Sequence, residues 1–411
     1  MRLVVVSPFL DRRHGTELCI IEQIERLASV YGWEIHLYSQ HVEDIRGLIP
    51  CSFFSCVPAA QRGAGSPAID QRGIYWHKIS AIPGPHLLRY VWWFCANQLR
   101  RRFDRSTSAE LPQVVYSPGI NCLDADAIVV HIVFHEFYAR VRRELRLRYL
   151  PVGSWFLAIH RKLYYHLIMA LERRVYCNSR IRLAAVSHLV ANQLLAHFHR
   201  SDVTVIPDAV DRQKFHPAIR LARRPAARHS FGFTASDFVL LLIGNDWKNK
   251  GLDALLHAMQ LAHGLPLMLL VVGRDDPGLY LPFLRQSRLH DRVRFLPPSS
   301  DVVLFYAAAD AYVGPSLADA FGLPILEAMA CGLPVIASVR AGASENIRHG
   351  ETGLLLRNPA DPEELAQLIR NLATDPSFCE RIGQAASAYA QAHCTWEENA
   401  SRTREFLEEA M

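Results

Sequence analysis

The residues best suited to chemistry lie between Ala311 and Gly353, where Asp319 stands ahead of Phe321-Gly322-Leu323-Pro324 and Glu327 follows. Pro324 suits the first turn of a helix, because its missing N–H would be unpaired there anyway, and Gly322 lets the backbone approach a ligand closely. Open amides ahead of that turn, backed by the positive end of the helix dipole, favour a phosphate. Glu327 falls about one turn further on, where a carboxylate accepts two hydrogen bonds from a vicinal diol such as a ribose. Phosphate, diol and Asp319 then lie in a row, as a nucleotide sugar requires. Taken alone, the same residues also describe an amphipathic helix with an ordinary cap and two solvated acids.

A second group follows the wholly apolar run Phe238 to Ile243 and its Gly244: the loop Asn245 to Gly251, with Lys248 and Lys250. It sits at the carboxyl end of a strand, where parallel sheets bind ligands, although two lysines in a polar loop are otherwise simply solvated. Gly15 occupies a similar loop, between the strand Leu3 to Ser7 and the helical pattern Leu18 to Leu27, but no GxGxxG accompanies it and by itself it reads as a turn residue. His131 ends the run Ala127 to His131. His135 is four residues on, but a strand end running into a loop lacks the helical spacing of metal ligands. Asp124-Ala125-Asp126 resembles a metal-binding DxD motif, and with no other carboxylate nearby it reads as a turn. No metal site is expected.

Further strands are expected at Glu34 to Tyr38, Val114 to Tyr116, Leu183 to Val186, Val203 to Ile206, Leu267 to Val272, Val293 to Leu296, Ala311 to Val313 and Val335 to Ala337, with helices between several of them. Alternation of this kind predicts an α/β fold with doubly wound parallel sheets. Gln61 to Gly84, rich in Gly, Pro and polar residues, is assigned no regular structure. Pro217 to Arg228 lacks apolar periodicity and marks a change of domain. The tail from Glu363 is helical with a break near His393 to Thr395, which would let the last helix cross back to the first domain. The expected domains are therefore 1–215, 216–392 and a terminal helix 393–411.

At 411 residues the chain accommodates two cores. Nine cysteines, scattered and without CxxC or Cys/His spacing, argue against a disulfide framework or zinc and for a reducing cytoplasm. The opening MRLVVVSPFLDRR has too short an apolar run for a signal peptide, and no stretch approaches the roughly 18 apolar residues of a membrane span. Charge is uneven: residues 1–200 hold 25 Lys and Arg against 15 Asp and Glu, the remainder 20 against 25. In the basic half, Trp92-Trp93 with Arg100-Arg101-Arg102, and the five arginines from Arg140 to Arg148, suit either a membrane interface or a core-facing helix with a solvated basic side.

In combination, AAVS, VTVIPDAVD, GNDWKNKG, VVGRDD and PSLADAFGLPILEAMACGLPVIAS, followed by Glu345 and Gly353, resemble the retaining glycosyltransferases of family 4. The resemblance covers nearly the whole chain and is strongest from Ala184 to Leu356. It implies the GT-B fold, two doubly wound Rossmann-like domains facing a central cleft. It implies further that Glu327 binds the donor ribose, the amides at Gly322 and Leu323 the pyrophosphate, Lys250 its charge, and Gly15 the pyrophosphate from the first domain, with Phe321 among the donor-binding residues. His131 would touch the donor sugar, and with Lys250 and Asp319 it makes up the expected catalytic group. This sequence departs from the pattern twice: the family has Glu where Asp319 stands and commonly Arg where Asn245 stands, so that Lys248 is expected to supply the missing charge.

The expected activity is retaining transfer of a hexose-type sugar from a nucleoside diphosphate to a glycan or lipid-linked acceptor. Departure of the diphosphate builds charge that amides and a lysine stabilise, so neither metal nor cofactor is expected. The expected partners are the nucleotide sugar, the acceptor and an anionic membrane surface, with no nucleic acid. A sugar-nucleotide 2-epimerase of similar architecture and a degenerate nucleotide-sugar-binding protein remain alternatives. Turnover without acceptor would mark the first, and binding without turnover the second.

Overall fold

Two series of apolar strands, each alternating with helices, sort the chain into two compact units in the computed structural model: Met1–Ile206 with Asn399–Met411, and Pro207–Glu398. The structure describes residues 1–51, 73–106, 113–142, 145 and 151–411.

The first unit contains strands β1 (Arg2–Val6), β2 (Phe9–Leu10), β3 (Glu34–Ser39), β4 (His41–Val42), β5 (Leu48–Cys51), β6 (Ile74–Lys78), β7 (Gln113–Pro118), β8 (Ala127–Val130), β9 (Arg182–Ala185) and β10 (Val203–Val205). Its helices are α1 (Gly15–Ser29), α2 (His86–Ser106), α3 (Phe134–Val141), α4 (Trp155–Tyr176) and α5 (His188–Phe198). Eight strands pair in parallel in the order β10-β9-β8-β7-β1-β3-β6-β5, while β2 pairs with β4. Leu3, Val5, Val114, Ile128 and Leu183 are buried, as continuous apolar strands covered on both faces must be. Asn399–Met411 completes this unit: Gln23 Nε2 donates to Asn399 Oδ1 at 3.0 Å, and the Arg404 guanidinium lies over the Tyr31 ring.

Two expectations change here. Ile74–Lys78 is a strand inside the segment assigned no regular structure. IYWHK has no period-two alternation, and what makes it a strand is pairing, with Ile74 in register with both Ile35 and Leu48; residues 61–72 lie outside the described residues. The second concerns α2, whose aromatic and basic residues divide between the two readings, a membrane interface and a core-facing helix. Trp93 is buried and donates to Asn121 Oδ1 at 3.3 Å, Arg101 is buried against Asp124, and Arg100 bonds to Asp104, which leaves Arg102 exposed. Of the arginines between 140 and 148, Arg143, Arg146 and Arg148 lie outside the described residues.

The second unit begins with α6 (Pro217–Ser230), followed by β11 (Phe238–Ile243), α7 (Leu252–Leu261), β12 (Leu267–Val272), α8 (Leu281–Gln286), β13 (Val293–Leu296), α9 (Val303–Ala308), β14 (Ala311–Gly314), α10 (Leu323–Ala330), β15 (Val335–Ser338), β16 (Leu354–Leu356), α11 (Pro362–Thr374) and α12 (Pro376–His393). The last helix, α13 (Trp396–Glu408), starts after the expected break. Six strands pair in parallel in the order β13-β12-β11-β14-β15-β16.

Pro217 to Arg228, which lacks apolar periodicity, is nevertheless helical as α6. Its inward positions are arginines four residues apart. Arg220 Nε donates to the Cys331 carbonyl at 2.8 Å, Arg224 Nη1 to the Ala309 carbonyl at 2.7 Å, and Arg228 Nη1 to Asp310 Oδ2 at 2.9 Å. Guanidinium groups that satisfy carbonyls at strand and helix ends take the place of an apolar stripe, so hydrophobic periodicity cannot reveal the helix.

Candidate functional site

The β11–α7 loop is shaped by two glycines. A Cβ on Gly244 (φ +144°) would stand 2.7 Å from Lys250 Cε, so the lysine side chain runs directly across the glycine. A Cβ on Gly251 (φ +79°) would stand 2.1 Å from the Pro315 carbonyl oxygen, so this loop and the one leaving β14 meet backbone to backbone where no side chain fits. Asn249 joins them further: its carbonyl accepts from Leu317 N–H at 2.7 Å, and its Nδ2 donates to the Ala318 carbonyl at 2.8 Å. Lys250 Nζ is thereby placed 2.5 Å from Asp319 Oδ2, both side chains being largely shielded from solvent.

Asp319 is itself fixed by its backbone, donating to the Arg340 carbonyl at 3.0 Å and accepting from Gly342 N–H at 3.1 Å. The Phe321 ring is buried and its carbonyl accepts from Ala343 N–H at 2.7 Å. Gly322 (φ +94°) then opens α10 with no side-chain cap, and a Cβ there would stand 3.1 Å from Asp319 Oδ2. The first-turn amides, Leu323 among them, therefore have no capping side chain, beside a lysine and at the positive end of a helix.

Glu327 lies one turn into α10, half-buried. Its Oε2 accepts from the Tyr306 hydroxyl at 2.5 Å, and Tyr306 is fully buried in α9. Burial raises the Glu327 pKa, against the opposing pull of the Tyr306 hydrogen bond and the Lys214 charge. With one oxygen held by the tyrosine, the other stays available to a ligand hydroxyl.

Asn245 turns toward the loop after β12, where its Oδ1 accepts from Arg274 N–H at 3.0 Å. The neighbouring Asp275 carboxylate accepts from the amides of Asp246 and Trp247. Lys248 is exposed, and its carbonyl accepts from Gly251 N–H at 3.2 Å.

In the first unit, Gly15 is the exposed first residue of α1, whose N-terminus has no side-chain cap. His131 follows β8 directly. β7 alone separates β8 from β1, so the two residues lie at the same carboxyl edge of one sheet. His131 is half-buried, and burial pushes its pKa down to about 4, which keeps the ring neutral near pH 7. His135 belongs to a different arrangement: its Nδ1 donates to the buried Glu172 at 2.6 Å, and the same carboxylate accepts from the amides of Phe134 and His135, capping α3 from α4. Asp124 binds Arg101 at 2.6 Å and Asp126 accepts from Val115 N–H at 2.8 Å, so the DxD pair is engaged structurally. No group of three or more His, Cys, Asp or Glu stands ready for a metal among the described residues.

The structure thus brings Lys250, Asp319 and Gly322 together, sets Glu327 one turn beyond, and leaves Lys248 and Asn245 on the outer part of the loop. Sequence reading missed Tyr306, Asn249 and Asp275. Only Asp275 had a signal, the acidic pair that follows β12 and Gly273-Arg274.

Residues 223–389 match the family described as Glycosyl transferases group 1. Among curated proteins the chain is similar to D-inositol 3-phosphate glycosyltransferases. It shares 33% identity over 254 residues with that of Streptomyces bingchenggensis, covering 56% of this chain and 53% of the relative. With that of Rhodococcus erythropolis it shares 31% over 210 residues, covering 48% and 46%. The chain spans about half the length of the curated relatives it matches. Among solved structures it is similar to WaaG, a glycosyltransferase involved in lipopolysaccharide biosynthesis, with a TM-score of 0.73 and 17% identity over 99% of both chains. It is also similar to Anabaena HepE, solved with UDP and glucose, with a TM-score of 0.67 and 18% identity over 100% of both chains. These likenesses establish the fold, two Rossmann-like domains with parallel sheets as in GT-B glycosyltransferases.

Proposed function

From the premise that residues 223–389 form a domain of the glycosyl transferases group 1 family, we propose that the chain moves a hexose-type sugar from a nucleoside diphosphate to a glycan or lipid-linked acceptor, with retention at the anomeric carbon. The observation that carries this reading is the uncapped start of α10 beside the Lys250–Asp319 pair, with Glu327 one turn on. A diphosphate at the helix end meets amides, a helix dipole and a lysine, and it competes with Asp319 for the Lys250 charge. A ribose hydroxyl pair then faces the Glu327 oxygen that Tyr306 does not hold.

When the sugar leaves, negative charge grows on the diphosphate oxygens. Lys250 and the α10 amides are already in place to take it, and such preorganised donors supply the stabilisation without a metal ion. Asp319, released from the lysine, is left to accept a hydroxyl of the transferred sugar. In the first unit we assign Gly15, at the open end of α1, to the pyrophosphate, and the neutral His131 to the donor sugar. We place the enzyme in the cytoplasm.

The test is binding of nucleotide sugars, UDP-glucose first. Saturation at 100 times the dissociation constant stabilises the folded chain by about 2.7 kcal/mol, visible as a thermal shift. Glu327→Ala should weaken donor binding by roughly ten- to a hundredfold, the worth of hydrogen bonds to a charged group, and Tyr306→Phe by less. A wild-type protein that no nucleotide sugar stabilises, or a Glu327→Ala variant that binds as tightly as the parent, rules the assignment out.

A further inference from the structure

Helix α2 of the first unit carries large apolar side chains outward as well as inward. Its inward face sets the buried Trp93 among polar groups: the buried Asn97 Nδ2 donates to the carbonyls of Trp93 and Asn121 at 2.8 and 3.0 Å, and the buried Arg101 binds Asp124. Its outward face carries Leu88, Val91, Trp92, Leu99 and Phe103, at helical spacing and each at least 40% exposed. α4 packs beside it, His160 Nε2 accepting from Leu87 N–H at 3.2 Å and the Tyr164 ring meeting His86 edge-on. α4 adds Trp155, Phe156, Ile159 and Leu163, again each at least 40% exposed. So many large apolar side chains on two adjoining helices mark a surface that something covers.

Charge says what covers it. Among the described side chains, the exposed charged residues of α2 and α4 are Arg89, Arg102, Arg161, Arg173 and Arg174, all basic. The two acids are otherwise engaged: Asp104 holds Arg100 and Tyr38, and the buried Glu172 caps α3. A second copy docked through this face would set these arginines against their own equivalents, a like-charge contact. Phosphate headgroups over an acyl layer match both features at once, with arginines at headgroup level and Trp and Phe at the boundary. No helix among the described residues is long and apolar enough to cross a membrane, so contact of this kind stays on the surface.

We propose that α2 and α4 seat the chain on an anionic lipid surface through these two apolar faces and their arginines. The test is co-sedimentation of the full chain with phosphatidylcholine vesicles, with and without phosphatidylglycerol. Binding should require phosphatidylglycerol and fade with salt. L99S/F103S on α2 and F156S/L163S on α4 should each weaken it at least about tenfold, the effect of keeping a Leu or Phe in water. R102E/R161E should abolish it. All three variants should keep the parent circular dichroism and UDP-glucose affinity, so this proposal fails or stands apart from the transfer reading. Equal binding to neutral vesicles, binding to neither, or binding untouched by all three variants overturns it. So does a concentration-dependent dimer in sedimentation equilibrium that F156S/L163S dissolves, which would assign the face to a second copy.

Discussion

In the second unit the loops leaving β11 and β14 are joined backbone to backbone at Gly251 and Pro315, whereas in the first unit the loop leaving β1 is held by a side-chain knot. There Asp11 Oδ1 accepts from Arg13 N–H at 2.8 Å, from His14 N–H at 3.1 Å and from the His14 ring at 2.8 Å. A backbone joint admits only glycine at the point of contact, and it fixes Lys250 by its place in the loop. A side-chain knot can be tied by several residue types at several positions. The family match falls on residues 223–389, within the second unit, where that backbone joint lies.

The comparison can be broken most decisively at glycine. Gly251 and Gly119 share a left-handed backbone, φ +79° and +77°, but a Cβ on Gly119 meets nothing within 4 Å. Gly251→Ala should therefore cost at least about 3 kcal/mol, from backbone strain plus a clash with Pro315, while Gly119→Ala costs about 1 kcal/mol from strain alone. Urea unfolding of the two variants decides it. Equal losses would show that the backbone joint is not what sets the loop.

A somewhat smaller effect sharpens the description of the first unit. A histidine whose folded pKa is pushed from 6.5 to about 4 binds its proton less readily folded than unfolded. Stability is then full above pH 6.5 and is lost as pH falls toward 4, by at most about 3 kcal/mol. His131→Asn should flatten that part of the profile in urea unfolding between pH 7 and pH 4. A slope should remain, because burial also pushes the pKa of His77 down to about 4. An unchanged profile in His131→Asn would mean that the ring is solvated.

The smallest effect is expected at Lys248. Lys250→Ala removes the cation beside Asp319 and should weaken donor binding more than about tenfold, as loss of a charge-assisted contact does. Lys248→Ala removes an exposed charge and should change it less than about threefold. Calorimetric titration of both separates the residues. A comparable loss in Lys248→Ala would return that residue to the role expected from the missing arginine.

The sequence by itself determined the parallel α/β architecture, because strands buried on both faces must be written as unbroken apolar runs. Phe238–Ile243 and Leu267–Val272 are legible to the residue. It also pointed to Lys250, Gly322 and Glu327 as candidate site groups, since these answer to local backbone and helix geometry. Three things were decided only by the tertiary structure. Ile74–Lys78 became a strand through its neighbours, α6 became a helix through arginines that cap distant carbonyls, and Tyr306 came to hold Glu327 from 21 residues away. Each depends on a partner remote in the chain, and a residue type carries no record of which distant group will satisfy it.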